Sequence, residues 1–129
     1  MNTELKVQPT EIWINRMPGG AGAQIQPRDV NLTLIVTNQN RTDYHTDHPN
    51  SGIFRFWVMQ DGSEIWHSPN ATLQVVTPVD IPAGQSIDGS QIWHIPDVRK
   101  LSLGQCLAYG EFVPTGDRAD GTITVDEAV

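Results

Sequence analysis

From Val30 to Thr37 the chain reads Val-Asn-Leu-Thr-Leu-Ile-Val-Thr, with Val30, Leu32, Leu34 and Val36 at every second position. Residues two apart share one face of an extended strand, whereas a helix would scatter these four to opposite sides of its axis. The segment is therefore a strand whose Val30 face is core. The same period recurs in Phe54, Phe56 and Val58, which alternate with Arg55 and Trp57. Asp61-Gly62 follows, and then Ser63-Glu64-Ile65-Trp66. Asp-Gly tolerates the positive φ angles of a two-residue hairpin turn, so these stretches are expected to pair.

Further strands are expected around 72–77, 86–93, 105–113 and 122–125, with an early one from Glu11 to Asn15. Pro78, Pro82 and Gly84 punctuate the chain between two of them, and Pro96 to Leu103 forms a loop with room for a short helical turn. Met17 to Pro27 holds Gly19, Gly20 and Gly22 and two prolines, the composition of an extended or mobile connector. No segment offers three turns of helix-period apolar spacing without a breaker, and no fixed-period repeat is present. The pattern is that of an all-β sandwich, and 129 residues suit one domain with a core of its own.

Fifteen acidic residues against eight basic ones give a formal net charge of -7. Such a chain repels phosphates, and Arg99-Lys100 is the one adjacent basic pair, so neither nucleic acid nor a membrane is expected as a partner. No stretch is apolar and long enough for a spanning helix, which predicts a soluble protein. Glu4 and Glu11 stand among the apolar positions of the first twenty residues, without a basic leader, so no secretory signal is expected. That places the chain in the cytoplasm, or on a virion surface if it is viral. The single cysteine, Cys106, lies in an apolar run and reads as a buried small hydrophobe.

Asp43-Tyr44-His45-Thr46-Asp47-His48 is the densest polar cluster, offering two imidazoles and two carboxylates that His67 and His94 could join. Its spacing matches no zinc signature, so the reading is a polar loop between strands, with Asp43, His45, Asp47 and His48 the candidates for any metal. No cofactor is expected. Ser51 and Ser68 lack a Gly-x-Ser-x-Gly elbow, which speaks against a hydrolase triad and against catalysis in general. Asp88, Asp117 and Asp120 are expected in solvated glycine turns, without the ligand spacing of an EF-hand. Among the tryptophans, Trp57 points away from the Phe56 face, with Ile53 and Met59 beside it, and Trp13 lies in the early strand. Trp57 either packs under the N-terminal segment or joins Trp13, Ile53 and Met59 in a protein-binding patch.

From about Asn31 to Phe112 the order of features resembles the BsuPI-type intracellular proteinase inhibitors. The shared features run from Asn31-Leu32-Thr33-Leu34 and Asn38-Gln39, through Ser51-Gly52 before Phe54, Phe56 and Val58 and the Asp61-Gly62 turn, to Ile65-Trp66 with Ser68. Pro82-Ala83-Gly84, Trp93 and Gly104 complete them. The family's Phe-Thr-Gln-Ala stretch is here Thr72-Leu73-Gln74-Val75, and its Pro-Gly-x-Tyr ending is Leu103-Gly104-Gln105-Cys106. The resemblance implies an immunoglobulin-like antiparallel β-sandwich over 29–113, with Trp66 and Trp93 in its core. An N-terminal arm or connector with one strand (1–28) and a C-terminal extension (114–129) would flank it.

Three functions follow as expectations. The first is a structural or decorating subunit of a larger assembly, such as a cement protein bound to capsid protein, using the extensions as arms. Removing the first sixteen residues would then leave a folded core without its attachment. The second is an inhibitor of a serine protease, acting through the loops after Thr37 or after Asp80. The third is a metal-dependent enzyme around His45 and His48. A homo-oligomer is compatible with the first two.

Overall fold

The computed structural model describes residues 1–15, 25–69 and 72–128. Among the described residues ten strands form: β1 (Asn2–Gln8), β2 (Glu11–Asn15), β3 (Arg28–Thr37), β4 (Tyr44–His48), β5 (Phe54–Gln60), β6 (Ser63–His67), β7 (Thr77–Ile81), β8 (Ser86–Ile95), β9 (Gly104–Phe112) and β10 (Asp117–Ala128). A 3₁₀ turn, Val98–Lys100, interrupts the loop between β8 and β9. The all-β expectation holds. A three-stranded sheet in the order β1-β3-β8 packs on a five-stranded sheet in the order β2-β10-β9-β5-β6, and β4 and β7 form a separate ribbon.

The alternation read from the sequence sets the core. Val30, Leu32, Leu34 and Val36 are fully buried, as are Val58, Cys106, Ala108, Phe112 and Ile123 from the facing sheet. Trp93 is buried and Trp66 half-buried, their rings 6.2 Å apart. Between β5 and β6, Asp61 and Gly62 take φ of 52° and 77°, the left-handed pair that a two-residue hairpin needs.

Several expectations need correction. The described residues ahead of β3 hold two strands where one was expected, and both are paired into the sheets. β1 pairs antiparallel with β3 over seven residues, and after Pro9 the same chain crosses to the other sheet, where β2 pairs parallel with β10. The sandwich is therefore not wholly antiparallel. Likewise 114–129 is no appendage, because β10 pairs with β9 over nine residues and buries Ile123 and Val125. Physically, β1 and β10 cover apolar side chains of β3 and β9 that would otherwise meet water. Finally, 72–76 is not a strand. Leu73, Val75 and Val76 are exposed, and the strand begins only at Thr77. Asp88, Asp117 and Asp120, expected in turns, lie within β8 and β10. Most of Met17 to Pro27 lies outside the described residues.

The loop after β8 is pinned by a buried carboxylate. Asp97 accepts from the Gln26 and Arg99 amides at 3.3 and 3.1 Å and pairs with the Arg99 guanidinium at 2.6 Å. Arg99 first, and these amides next, hold its carboxyl well below the usual carboxylate range. A carboxylate depressed in the folded state stabilises fully above its ordinary value of about 3.9, and the contribution is lost only as pH falls through the folded value.

Gly89 of β8 lies directly under the Phe54 ring, and a Cβ there would stand 2.4 Å from ring atom Cδ2. A ring packed between Gly89 and Phe112 cannot yield without moving β5. Gly89→Ala is expected to cost about 1–3 kcal/mol by overpacking, read as a lowered urea midpoint at unchanged slope. Deleting residues 1–16 removes two paired strands. The truncated chain is expected to lose its cooperative urea transition, where a true arm would leave that transition intact.

Candidate functional site

The outer face of the five-stranded sheet presents residues in cross-strand rows. Arg55, Glu111 and Arg118 form one row, and His67, Trp57, Tyr109 and Asp120 the next. Trp57 and Tyr109 stack with centroids 5.3 Å apart and planes 11° from parallel. The guanidinium carbons of Arg55 and Arg118 lie over the Trp57 ring at 4.9 and 5.2 Å, within cation–π range. Between the two arginines the Glu111 carboxylate is almost fully buried, taking Arg118 Nε at 2.7 Å and Arg55 Nη2 at 3.3 Å. The anion fixes both cations over the ring, and more than half of each arginine side chain still faces solvent. Arg55, Phe56, Trp57, Glu64, His67 and Arg118 line a depression of about 460 Å³ beside the stack.

Trp57 thus packs neither in the core nor under the N-terminal segment, which lies on the other sheet and at the far edge of this one. Met59 shares its face, in register with exposed Leu107. Ile53 does not, since it packs against the core while its carbonyl accepts from the Val113 amide. Trp13 is 51% exposed, on β2, paired with Asp126. At about 4.8 Å per strand, β2 stands roughly 14 Å from β5. The expected patch is therefore Trp57 and Met59, with Trp13 apart from them and Ile53 excluded. Sequence reasoning missed Tyr109, Arg118 and Glu111. The alternation Leu107, Tyr109, Glu111 was visible, but which strand neighbours β5 was not.

The metal candidates separate for a simple reason. The segment expected as a loop is strand β4, and alternation sends His45 and Asp47 to one side and His48 to the other. Asp43, just before it, accepts the Ala83 amide at 2.9 Å. His67 and His94 belong to the two different sheets, and His94 is paired with Asp29 at 2.6 Å. Among the described residues no three His, Cys, Asp or Glu side chains gather as a metal ion would need. His45 has both nitrogens engaged, Nδ1 with Asp80 at 2.5 Å and Nε2 with Asp47 at 3.2 Å. The Asp80 hydrogen bond and charge, with Asp47 adding to them, raise its pKa above the ordinary value. A ring protonated on both nitrogens has no lone pair for a metal.

The hydroxyls are engaged in structure. Ser68 Oγ accepts the Phe56 amide at 3.1 Å, and Ser51 Oγ accepts that of Leu73 at 2.8 Å. Cys106 is buried, and desolvation first, with Asp61 second, pushes its thiol up to about 11. It stays protonated and unreactive near neutrality.

At the end of the sandwich where β3 stops, Asn38 is fully buried and ties two loops together. Its side chain donates to the carbonyls of Thr42 and Ile81 at 2.9 Å and accepts the Asn40 amide at 3.0 Å. Its backbone exchanges bonds with the 84–85 turn. No protein-family model matches the chain, and a search of curated proteins returns no match.

A raised imidazole stabilises the fold fully below its unfolded pKa of about 6.5, and the contribution is lost as pH rises through the folded value. By NMR, His45 is expected to titrate above 6.5, with the protection of amides in the β4–β7 ribbon, taken relative to their intrinsic exchange rates, falling over that range. His45→Gln should remove that fall in protection.

Proposed function

We propose that the chain is a non-enzymatic protein-binding module, a structural or decorating subunit of a larger assembly such as a viral capsid, that docks through the outer face of its five-stranded sheet. The observation carrying this reading is the Trp57–Tyr109 stack held under Arg55 and Arg118 beside a depression. Tryptophan, tyrosine and arginine are the residues on which binding energy concentrates at interfaces. Stacking and the buried Glu111 order these side chains before a partner arrives, which lowers the entropy lost on docking. The guanidinium edges turned to solvent suit carbonyls or carboxylates of the partner, and Met59 and Leu107 extend the face with apolar surface.

A second reading rests on Asn38. Rigid, ordered loops are what a proteinase inhibitor presents, and the loops after Thr37 and after Asp80 are the two that this amide locks together. It corresponds to the inhibitor family that the sequence resembles. Titration against a subtilisin-like protease separates the readings, since an inhibitor removes activity stoichiometrically and Asn38→Ala weakens it.

For the first reading the test is density-gradient sedimentation of the source lysate, with mass spectrometry locating this chain. It is expected to co-migrate with a large particle in fixed stoichiometry. Trp57→Ala and Arg118→Ala, checked for folding by circular dichroism, should each weaken attachment at least about tenfold, or about 1.4 kcal/mol. Glu4→Gln, on the opposite sheet, should leave it unchanged. Migration as a small free species counts against the assembly role.

A further inference from the structure

An open sheet edge carries a row of unpaired amide and carbonyl groups, and sandwiches guard such edges with short strands, prolines, bulges or charges. Among the described residues, all but one of the strand edges here are guarded. β2 and β6 have five residues each, and the β5–β6 pairing carries a bulge at Val58/Met59. β1 closes against β10, where Thr3 Oγ1 donates to the Arg118 carbonyl at 2.8 Å and Val7 seats on Gly121. β4 and β7 have five residues each, and β7 contains Pro78. β8 is different. It runs ten residues, pairs with β3 alone in unbroken register, and has no proline, lysine or arginine.

We infer that β8 is the contact through which two copies of this chain pair edge to edge, antiparallel and centred on Gln91. The occupant is argued from side-chain complementarity. A two-fold axis at Gln91 sets Asp88 opposite His94, Gly89 opposite Trp93, Ile87 opposite Ile95 and Gln91 opposite itself. A carboxylate facing an imidazole, a small residue beside a large one, two aliphatics and two amides that each donate and accept are favourable cross-strand neighbours. Asp88 and His94 lie on the solvent side of β8, and His94 Nδ1 is held by Asp29, which leaves Nε2 for the second copy's carboxylate. Sliding the register by two residues sets Asp88 against Ile92 or against Pro96, so the carboxylate–imidazole match selects one alignment. The net charge of -7 on each copy opposes association at long range, which makes the dimer concentration-dependent.

Sedimentation velocity of the full chain from micromolar to millimolar concentration reads this directly. A monomer–dimer equilibrium is expected, weakened about tenfold or more by Asp88→Lys, which removes the carboxylate that faces His94 Nε2 of the second copy. Opposed Cα atoms of antiparallel strands stand about 4.5–5.5 Å apart, within disulfide reach. Gln91→Cys should therefore form an oxidised covalent dimer, whereas Ser86→Cys, far from its own counterpart, should not. Buried Cys106 does not compete. A chain that stays monomeric throughout, an Asp88→Lys variant that dimerises as the parent does, or equal cross-linking at positions 86 and 91 would overturn the inference. Should Asp88→Lys fail to fold, the two cysteine variants decide alone.

Discussion

Everything in this sandwich depends on the burial of one row, Val30, Leu32, Leu34 and Val36, at the centre of the three-stranded sheet. Four fully buried aliphatic side chains contribute on the order of 1.5–3 kcal/mol each when removed from water, which no surface contact of the molecule approaches. That row fixes which side of β3 faces inward. β1 and β8, in register with it on either hand, inherit their own inner faces from it. The facing sheet then meets it closely, Leu34 lying against Gly110, where a Cβ would sit 3.2 Å from its methyl carbon.

Wherever burial alone decided the structure, the sequence was readable. β3, β5 and the Asp61-Gly62 hairpin follow from period-two alternation and turn chemistry, both local properties. β4 was hidden because Tyr44-His45-Thr46-Asp47-His48 is polar on both faces, and only Tyr44 reaches the core, edge-on to Phe112. β1 was overlooked although Leu5 and Val7 do alternate, because its inward residues are only half-buried and its outward ones wholly polar. The stretch 72–77 misled in the other direction. Leu73, Val75 and Val76 are as apolar as a strand, yet Val75 and Val76 are adjacent and cannot share a face. Pro78 is accommodated in β7 because each strand of a two-stranded ribbon is an edge strand, where proline is tolerated.

The candidate site was legible only in part, for a related reason. Alternation places Trp57 outside the core, but its setting comes from Tyr109 and Arg118, more than fifty residues further along the chain, and strand order is a property of the whole fold. The same long-range pairing dispersed the metal candidates. A cluster that is compact in sequence becomes, once extended, two opposite sides of a ribbon. What remains chemically distinct is electrostatic: a buried anion, Glu111, that holds two cations against an aromatic face in a chain whose overall charge is negative.

The crossing at Pro9 has a mechanical consequence. Because β2 runs parallel to β10, a load entering ahead of β2 and leaving beyond β10 pulls the two strands along their length in opposite directions. The five register pairs from Glu11–Thr124 to Asn15–Ala128 then bear the force together in shear, rather than opening one after another as in a peeled hairpin. Between those two points the sandwich opposes stretching with five register pairs acting jointly, rather than with one pair at a time.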